Sequence, residues 1–163
     1  MKRSRFFIPS NVYCKNFNNQ IHLSGNKGNI FLYFSSKLKQ KSNVVCFESK
    51  LTSYDEALFK QAALGVSTKY SIEIILKGIG FTVEKNNNKL VFNLNYSHPV
   101  VVAVPQIISI EIKKKTIRLS SSHLDVLKNF ARKIRKNRFP NPYKEGGIFY
   151  KNEQFIGKEG KKN

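Results

Sequence analysis

The sequence predicts an α+β protein built from two similar tandem domains. Each domain is a mainly antiparallel sheet packed on one helix, and an extended basic C-terminal tail follows. Three observations carry this reading. Short β-rich runs separated by Asn and Gly turn residues fill both halves of the chain. Each half closes with one helical segment opened by an S-x-x-acid pattern. After Arg138 the composition shifts to Pro, Gly, Lys and Asn. The expected bounds are 1–74, 75–138 and, for the tail, 139–163. The tail is expected to order only against a partner.

In the first half, Val12–Lys15, Gln20–Leu23 and Asn29–Phe34 read as strands, parted by Asn18-Asn19 and by Gly25-Asn26-Lys27-Gly28. Asn43–Glu48 is a further strand. The first helix starts at Ser53-Tyr54-Asp55-Glu56, where Ser and Glu can satisfy opposing free N–H groups, and runs to about Val66, weakened by Gly65. In the second half, Ile72–Leu76 and Phe81–Glu84 flank Gly78-Ile79-Gly80. Lys89–Tyr96 places Leu90, Phe92, Leu94 and Tyr96 on one face. Val100–Val104 follows the break at Ser97-His98-Pro99, and Ile107–Lys113 pairs with Thr116–Ser120 across Lys114-Lys115. The second helix runs from about Ser122 to Asn137.

Charge limits the partners. The 163 residues hold 29 Lys and Arg against 10 Asp and Glu, a net charge of +19. Such an excess repels itself unless a polyanion neutralises it, and nucleic acid is the polyanion that Lys and Arg bind most generally. From Lys113 onward there are 15 basic and 4 acidic residues, so that third is where the polyanion should lie. No stretch of 18 uninterrupted apolar residues exists, so a membrane span is not expected. Cys14 and Cys46 have no CxxC spacing and read as free thiols in strands. The basic Met1–Arg5 start lacks an apolar follow-on, so no signal or transit peptide is expected. Lys, Asn, Ile, Phe and Tyr supply nearly half the chain, with no Trp. These are residues of AT-rich codons, which suits an organellar or parasite genome.

On a helical projection Leu124, Leu127, Phe130, Ala131 and Ile134 cluster on one side. Lys128, Arg132, Arg135 and Lys136 lie opposite, with Asp125 as the only acid nearby in sequence. Arg138 and "FPNPYKEGG" follow. Pro140 ends the helix, Pro142 keeps Asn141 extended, Tyr143 offers a ring, Lys144 a charge, and Gly146-Gly147 a backbone open to close approach. By its residues the whole stretch Arg138–Tyr150, RFPNPYKEGGIFY, is neither helix nor strand. It suits either a surface turn or a strip lying along a phosphodiester groove. Lys151, Lys158, Lys161 and Lys162 extend the charge.

Catalytic or metal-binding groupings are sparse, so no enzyme activity, no cofactor and no metal site is expected. His22, His98 and His123 share no metal-ligand spacing with one another or with Cys or carboxylates. Gly78-Ile79-Gly80 lacks the rest of a phosphate loop and reads as a bend. One alternative remains, a metal-dependent nuclease using Glu111 and Lys113 two apart on a strand, with Glu84 or Glu73 as further acids. A free-standing basic nucleic-acid-binding protein is the other.

Three stretches, taken together, resemble a known family. "FPNPYKEGGIFY" is similar to the C-terminal signature P-E-P-Y-K-G-K-G-[IV]-x-Y of the ribosomal large-subunit protein six family. "LKGIGFTVEKNNNKLVFNLNYSHPVVVAVP" resembles that family's G-[VI]-G-[YF] strand leading to S-H-P-V, and "IHLSGNKGNIFLYF" looks like its first-domain hairpin. The resemblance implies two similar α+β domains bound to large-subunit ribosomal RNA near the translation-factor-binding region, beside neighbouring ribosomal proteins and, transiently, translational GTPases. Its signature positions here are Pro140, Pro142, Tyr143, Lys144 and Gly147, with Gly78, Gly80, Ser97, His98, Pro99 and Val100. Asn141 departs from the usual Glu, Glu145 from Gly, and Gly146 from Lys, so one contact charge is lost and an opposing one added. The region between Glu48 and Ile74 looks shortened, which implies a reduced first helix. Together with codon usage, these departures imply a mitochondrial ribosome, with a plastid or an AT-rich bacterial cytoplasm as the alternatives.

Overall fold

The computed structural model describes residues 5–17, 20–34, 38–41, 44–47 and 51–160. The chain is α+β, with two helices and four sheets whose paired strands are mainly antiparallel. It divides into two compact units: Met1–Tyr70 with Ser122–Leu124, and Ser71–Ser121 with Asp125–Asn163.

In the first unit, β1 (Arg5–Phe7), β6 (Val44–Phe47) and β5 (Leu38–Lys41) form one three-stranded sheet, in that order. A second runs β2 (Val12–Phe17), β3 (Gln20–Gly25), β4 (Gly28–Tyr33). Alternation puts Ile21, Leu23, Ile30 and Leu32 in the core, where the helix α1 (Ser53–Thr68) meets them with Phe59, Ala62, Ala63 and Val66. Four phenylalanines pack edge to face there: Phe47 lies 5.3 Å from Phe59 at 90° and 5.8 Å from Phe6 at 79°, with Phe34 alongside.

The helix corrects two expectations. Its cap is Thr52, not Ser53: the Thr52 hydroxyl accepts from the Asp55 N–H and donates to the Asp55 carboxylate. It runs 16 residues to Thr68, past the expected end near Val66, and it continues past Gly65 because that glycine allows a close backbone approach. A Cβ there would stand 2.1 Å from the Ser122 carbonyl oxygen. β1 and β5 carry no sequence expectation of their own: β1 has three residues and β5 (LKQK) alternates a single apolar residue with polar ones, unlike the apolar four-residue runs of β6 and β10.

The second unit holds β8 (Thr82–Asn86), β9 (Lys89–Asn93) and β10 (Val100–Ala103) in one sheet. Another has the order β11 (Ser109–Lys113), β12 (Thr116–Ser121), β7 (Tyr70–Lys77), β13 (Gly147–Tyr150). The helix α2 (Leu124–Lys136) buries Leu127, Phe130, Ala131 and Ile134, while Leu124 is half-buried.

β13 overturns the reading of everything after Arg138 as a tail. Gly147–Tyr150 pairs antiparallel with β7, Ile148 opposite Leu76 and Phe149 opposite Ile75. Ile148 and Phe149 are buried, a gain of about 1.5–3 kcal/mol each. Phe155 then packs edge-on against Phe149 at 5.1 Å, and the Lys158 N–H donates to the Pro142 carbonyl. The apolar Ile-Phe-Tyr run pairs with a strand inside the chain.

Candidate nucleic-acid interface

Helical spacing places Lys128, Arg132 and Lys136 four residues apart in one exposed row along α2. Lys133 is exposed beside them. Basic residues in the last turn also complement the negative end of the helix dipole. Lys128 and Arg132 border a groove of about 580 Å³, with Ser71, Tyr150 and Asn152 opposite. Glu73 and Lys151 complete its rim, and here the charges are paired. Glu73 accepts from Arg118 at 2.7 Å and from Lys151 at 2.5 Å. Hydrogen bonds from Lys151 and then Arg118 hold the Glu73 carboxyl below the usual carboxylate range, and the same contact raises Arg118.

Arg135 departs from the expected exposed row. It is half-buried, ion-paired with Glu153, and lies over the Tyr150 ring at 5.1 Å. Glu153 also accepts the Tyr150 N–H, so the chain after β13 folds back to supply Arg135 with its acid partner. Arg135 therefore fastens that segment to α2.

The stretch after α2 forms a closed loop. The Ile148 N–H donates to the Arg138 carbonyl, the Asn141 N–H to Gly146, and the Glu145 N–H back to Asn141. The Asn141 side chain accepts the Tyr143 N–H at 2.8 Å, an Asx turn that sets the apex. Tyr143 and Lys144 are exposed at this apex, Pro140 and Pro142 half-buried beneath it. Gly147 is not open to a partner. It is buried at φ +147°, and a Cβ would meet the Pro140 Cα at 2.7 Å and the Phe139 oxygen at 2.8 Å. Glu145 sits at φ 49°, a left-handed conformation that glycine adopts without penalty.

Arg138 is placed by aromatic faces: its guanidinium lies 4.7 Å from the Tyr96 centroid and 6.0 Å from Phe81. The Tyr96 hydroxyl donates to the Asn137 carbonyl. Tyr96 was expected in the core with Leu90, Phe92 and Leu94, but β9 ends at Asn93 and Asn95 turns at φ 56°, so the alternation stops before it. Arg138, Phe139, Lys144 and Glu145 border a second hollow of about 590 Å³ with Gly78 and Ile79. Ile79 is 93% exposed at its lip, where only the shape of the bend brings it. Lys115 joins from the β11–β12 turn, its ammonium donating to the Gly78 carbonyl.

His98 is exposed, its Nδ1 3.3 Å from the Ser97 hydroxyl. Lys158 is exposed, and Lys161 and Lys162 lie outside the described residues. Glu111 and Lys113 border a hollow with Glu73, Arg118 and Lys151, so its two carboxylates meet three cations. Among the described residues no group of three His, Cys, Asp or Glu side chains is placed to hold a metal ion, and the geometry gives the nuclease reading no support. Cys14 and Cys46 form no disulfide with each other, and burial pushes the Cys14 thiol up to about 12. No helix among the described residues is long and apolar enough to cross a membrane.

The family model for ribosomal protein L6 matches residues 77–151, the stretch containing α2's basic row and the closed loop. The chain is 34% identical to large ribosomal subunit protein uL6 of Metamycoplasma arthritidis over 94% of its own length and 92% of the relative's. It is 31% identical to uL6 of Lacticaseibacillus casei, covering 94% and 93%. Large ribosomal subunit protein uL6c of Phaeodactylum tricornutum is 45% identical over 64% of this chain and 59% of that protein. The chain belongs to the ribosomal protein L6 family.

Proposed function

We propose that the chain is a structural constituent of the large ribosomal subunit and binds large-subunit ribosomal RNA through its second unit. The observation that carries this is the exposed row Lys128, Arg132, Lys136, continued by Arg138 and Lys144 within the family-matched stretch. Asp125, one turn before Lys128, is the only acid α2 itself brings to this row, and Glu153 is spent on Arg135, so phosphates meet an excess of cations there. Each phosphate contact releases counterions, so affinity should fall steeply with salt. The loop apex and the Tyr96-backed Arg138 add a shaped, partly aromatic strip. The work assigned to the chain is positioning RNA near the region where translational GTPases dock, with no catalysis of its own.

The ribosome concerned is of bacterial or organellar type, as the matched relatives are. AT-biased residue usage favours an organelle, and within that choice a mitochondrial matrix ribosome is the specific proposal.

Salt-dependent binding to large-subunit RNA tests the surface. Replacing Lys128, Arg132 and Lys144 together by Ala should weaken binding and lower the salt slope by about 2 to 3. An unchanged slope removes this assignment. Sedimentation of purified cytosolic and organellar ribosomes after high-salt washing tests the rest. Co-migration with the organellar large subunit is expected, and a chain that washes off as a free protein would be an independent nucleic-acid binder.

A further inference from the structure

The first unit carries an exposed surface that the second-unit reading leaves unused. In the β2–β3–β4 sheet, α1 covers only the face bearing Ile21, Leu23, Ile30 and Leu32. Strand register then brings Tyr13, Lys15 and Phe17 of β2, His22 of β3, and Phe31 and Tyr33 of β4 onto the outer face. Lys15 pairs across to His22, and His22 to Phe31. The His22 and Phe31 rings are stacked, centroids 4.5 Å apart at 19°, and the enclosed His22 Nε2 has no hydrogen-bond partner. Tyr13, Phe17, Phe31 and Tyr33 are 57–74% exposed. The remaining positions on this face are an Asn, a Gln and a Ser, so it carries a cation and no carboxylate. The described acids of the unit, Asp55 and Glu56, are on α1, against the other face.

We propose that this outer face is a stacking platform for unpaired nucleotides of ribosomal RNA. Four exposed rings on a three-stranded sheet are a large apolar area to leave in water. A base offers each ring a π face of matching size, and the phosphates between bases meet Lys15. A protein partner would have to supply both apolar area and acidic residues against a chain of net charge +19, whereas single-stranded RNA brings rings and negative charge together. Phe31 and Tyr33 lie about 7 Å apart along one strand, so each can take a separate base. The proposal deepens the RNA-binding reading and rests on it, adding a second, single-strand-specific site.

The test uses the full chain with labelled 12-nucleotide oligouridine and oligoadenosine, and a duplex fragment of large-subunit RNA as control. Affinity is the readout, because the seven Tyr, Tyr143 of the second unit among them, would all contribute to any quenching of tyrosine emission. Phe31→Ala with Tyr33→Ala should lower single-strand affinity about ten-fold or more. Duplex affinity should not change, and Phe31→Tyr with Tyr33→Phe should restore parental binding. Equal single-strand affinity in the Ala variant overturns the platform, as does an equal loss on duplex and single strand. Ultraviolet cross-linking of assembled subunits provides a second measurement: adducts from this face to RNA support the proposal, and adducts only to a neighbouring protein overturn it. Lys128→Ala with Arg132→Ala separates the two levels. If it lowers the duplex salt slope while the ring variants do nothing, the platform alone fails; if neither responds, the RNA reading fails as well.

Discussion

The first unit exposes rings on its β2–β3–β4 sheet with one lysine among them, while the second exposes a row of cations on α2 with aromatic residues behind them. Both have strands leading into one helix, with β13 added after α2 in the second, yet the helices serve differently. Through Ala62, Ala63 and Gly65, α1 packs closely, and its polar ends satisfy its own caps. Only one side of α2 is buried, leaving Lys128, Arg132, Lys133 and Lys136 exposed. The difference teaches that one element order can present two chemistries, because the outward residues of a strand or helix are free of the constraints that shape the core.

The sharpest way to break this comparison is Gly147→Ala. Positive φ and the approach of Pro140 and Phe139 make the added methyl destabilising by about 2–4 kcal/mol, read as a lower melting temperature. Unchanged melting with weaker RNA binding would return Gly147 to the exposed strip that its sequence context suggested.

Glu145→Gly tests the loop apex from the other direction. It relieves a left-handed residue and removes a carboxylate beside Lys144, so stability should rise by about 0.5–1 kcal/mol and RNA affinity should increase. Lower affinity would mean that Glu145 itself makes a contact, which denaturant melts and titrations on the same variant would separate from folding.

The smallest effect concerns Glu73. Its folded carboxyl is held low, so its contribution to stability is fully present above the unfolded carboxylate value. That contribution is lost as pH falls through the depressed folded value. Glu73→Gln should flatten the acid side of the stability profile slightly. It should also free Lys151 and Arg118 for phosphate, raising the salt slope of RNA binding. An acid limb identical to the parent's would mean that solvent already screens these pairs.

Much of the architecture was legible because it rests on local chemistry. Alternation in Gln20–Leu23 and Lys89–Leu94, turn residues at Gly25–Gly28 and Lys114-Lys115, and the 3.6-residue period of α2 each act within a few positions. The illegible parts depended on distant residues. Arg135 looked like a free cation because Glu153 lies 18 positions on, beyond a turn and a strand. Gly147 looked open because its neighbours, Phe139 and Pro140, reach it only when the loop closes. Lys115 and Ile79 carried no signal of their own, and tertiary placement alone brings Ile79 to the hollow beside Arg138 and Lys115 to the Gly78 carbonyl.

The sequence by itself determined the α+β class, the concentration of cations toward the C-terminus and the motif by which the family is recognised, since composition and short-range spacing need no partner. Tertiary structure decided which cations remain exposed, that Gly147–Tyr150 is a strand and not a tail, and that four rings scattered between Tyr13 and Tyr33 share one face. Those outcomes depend on pairing between segments far apart in the chain, and strand register and ion pairing exist only after the segments meet.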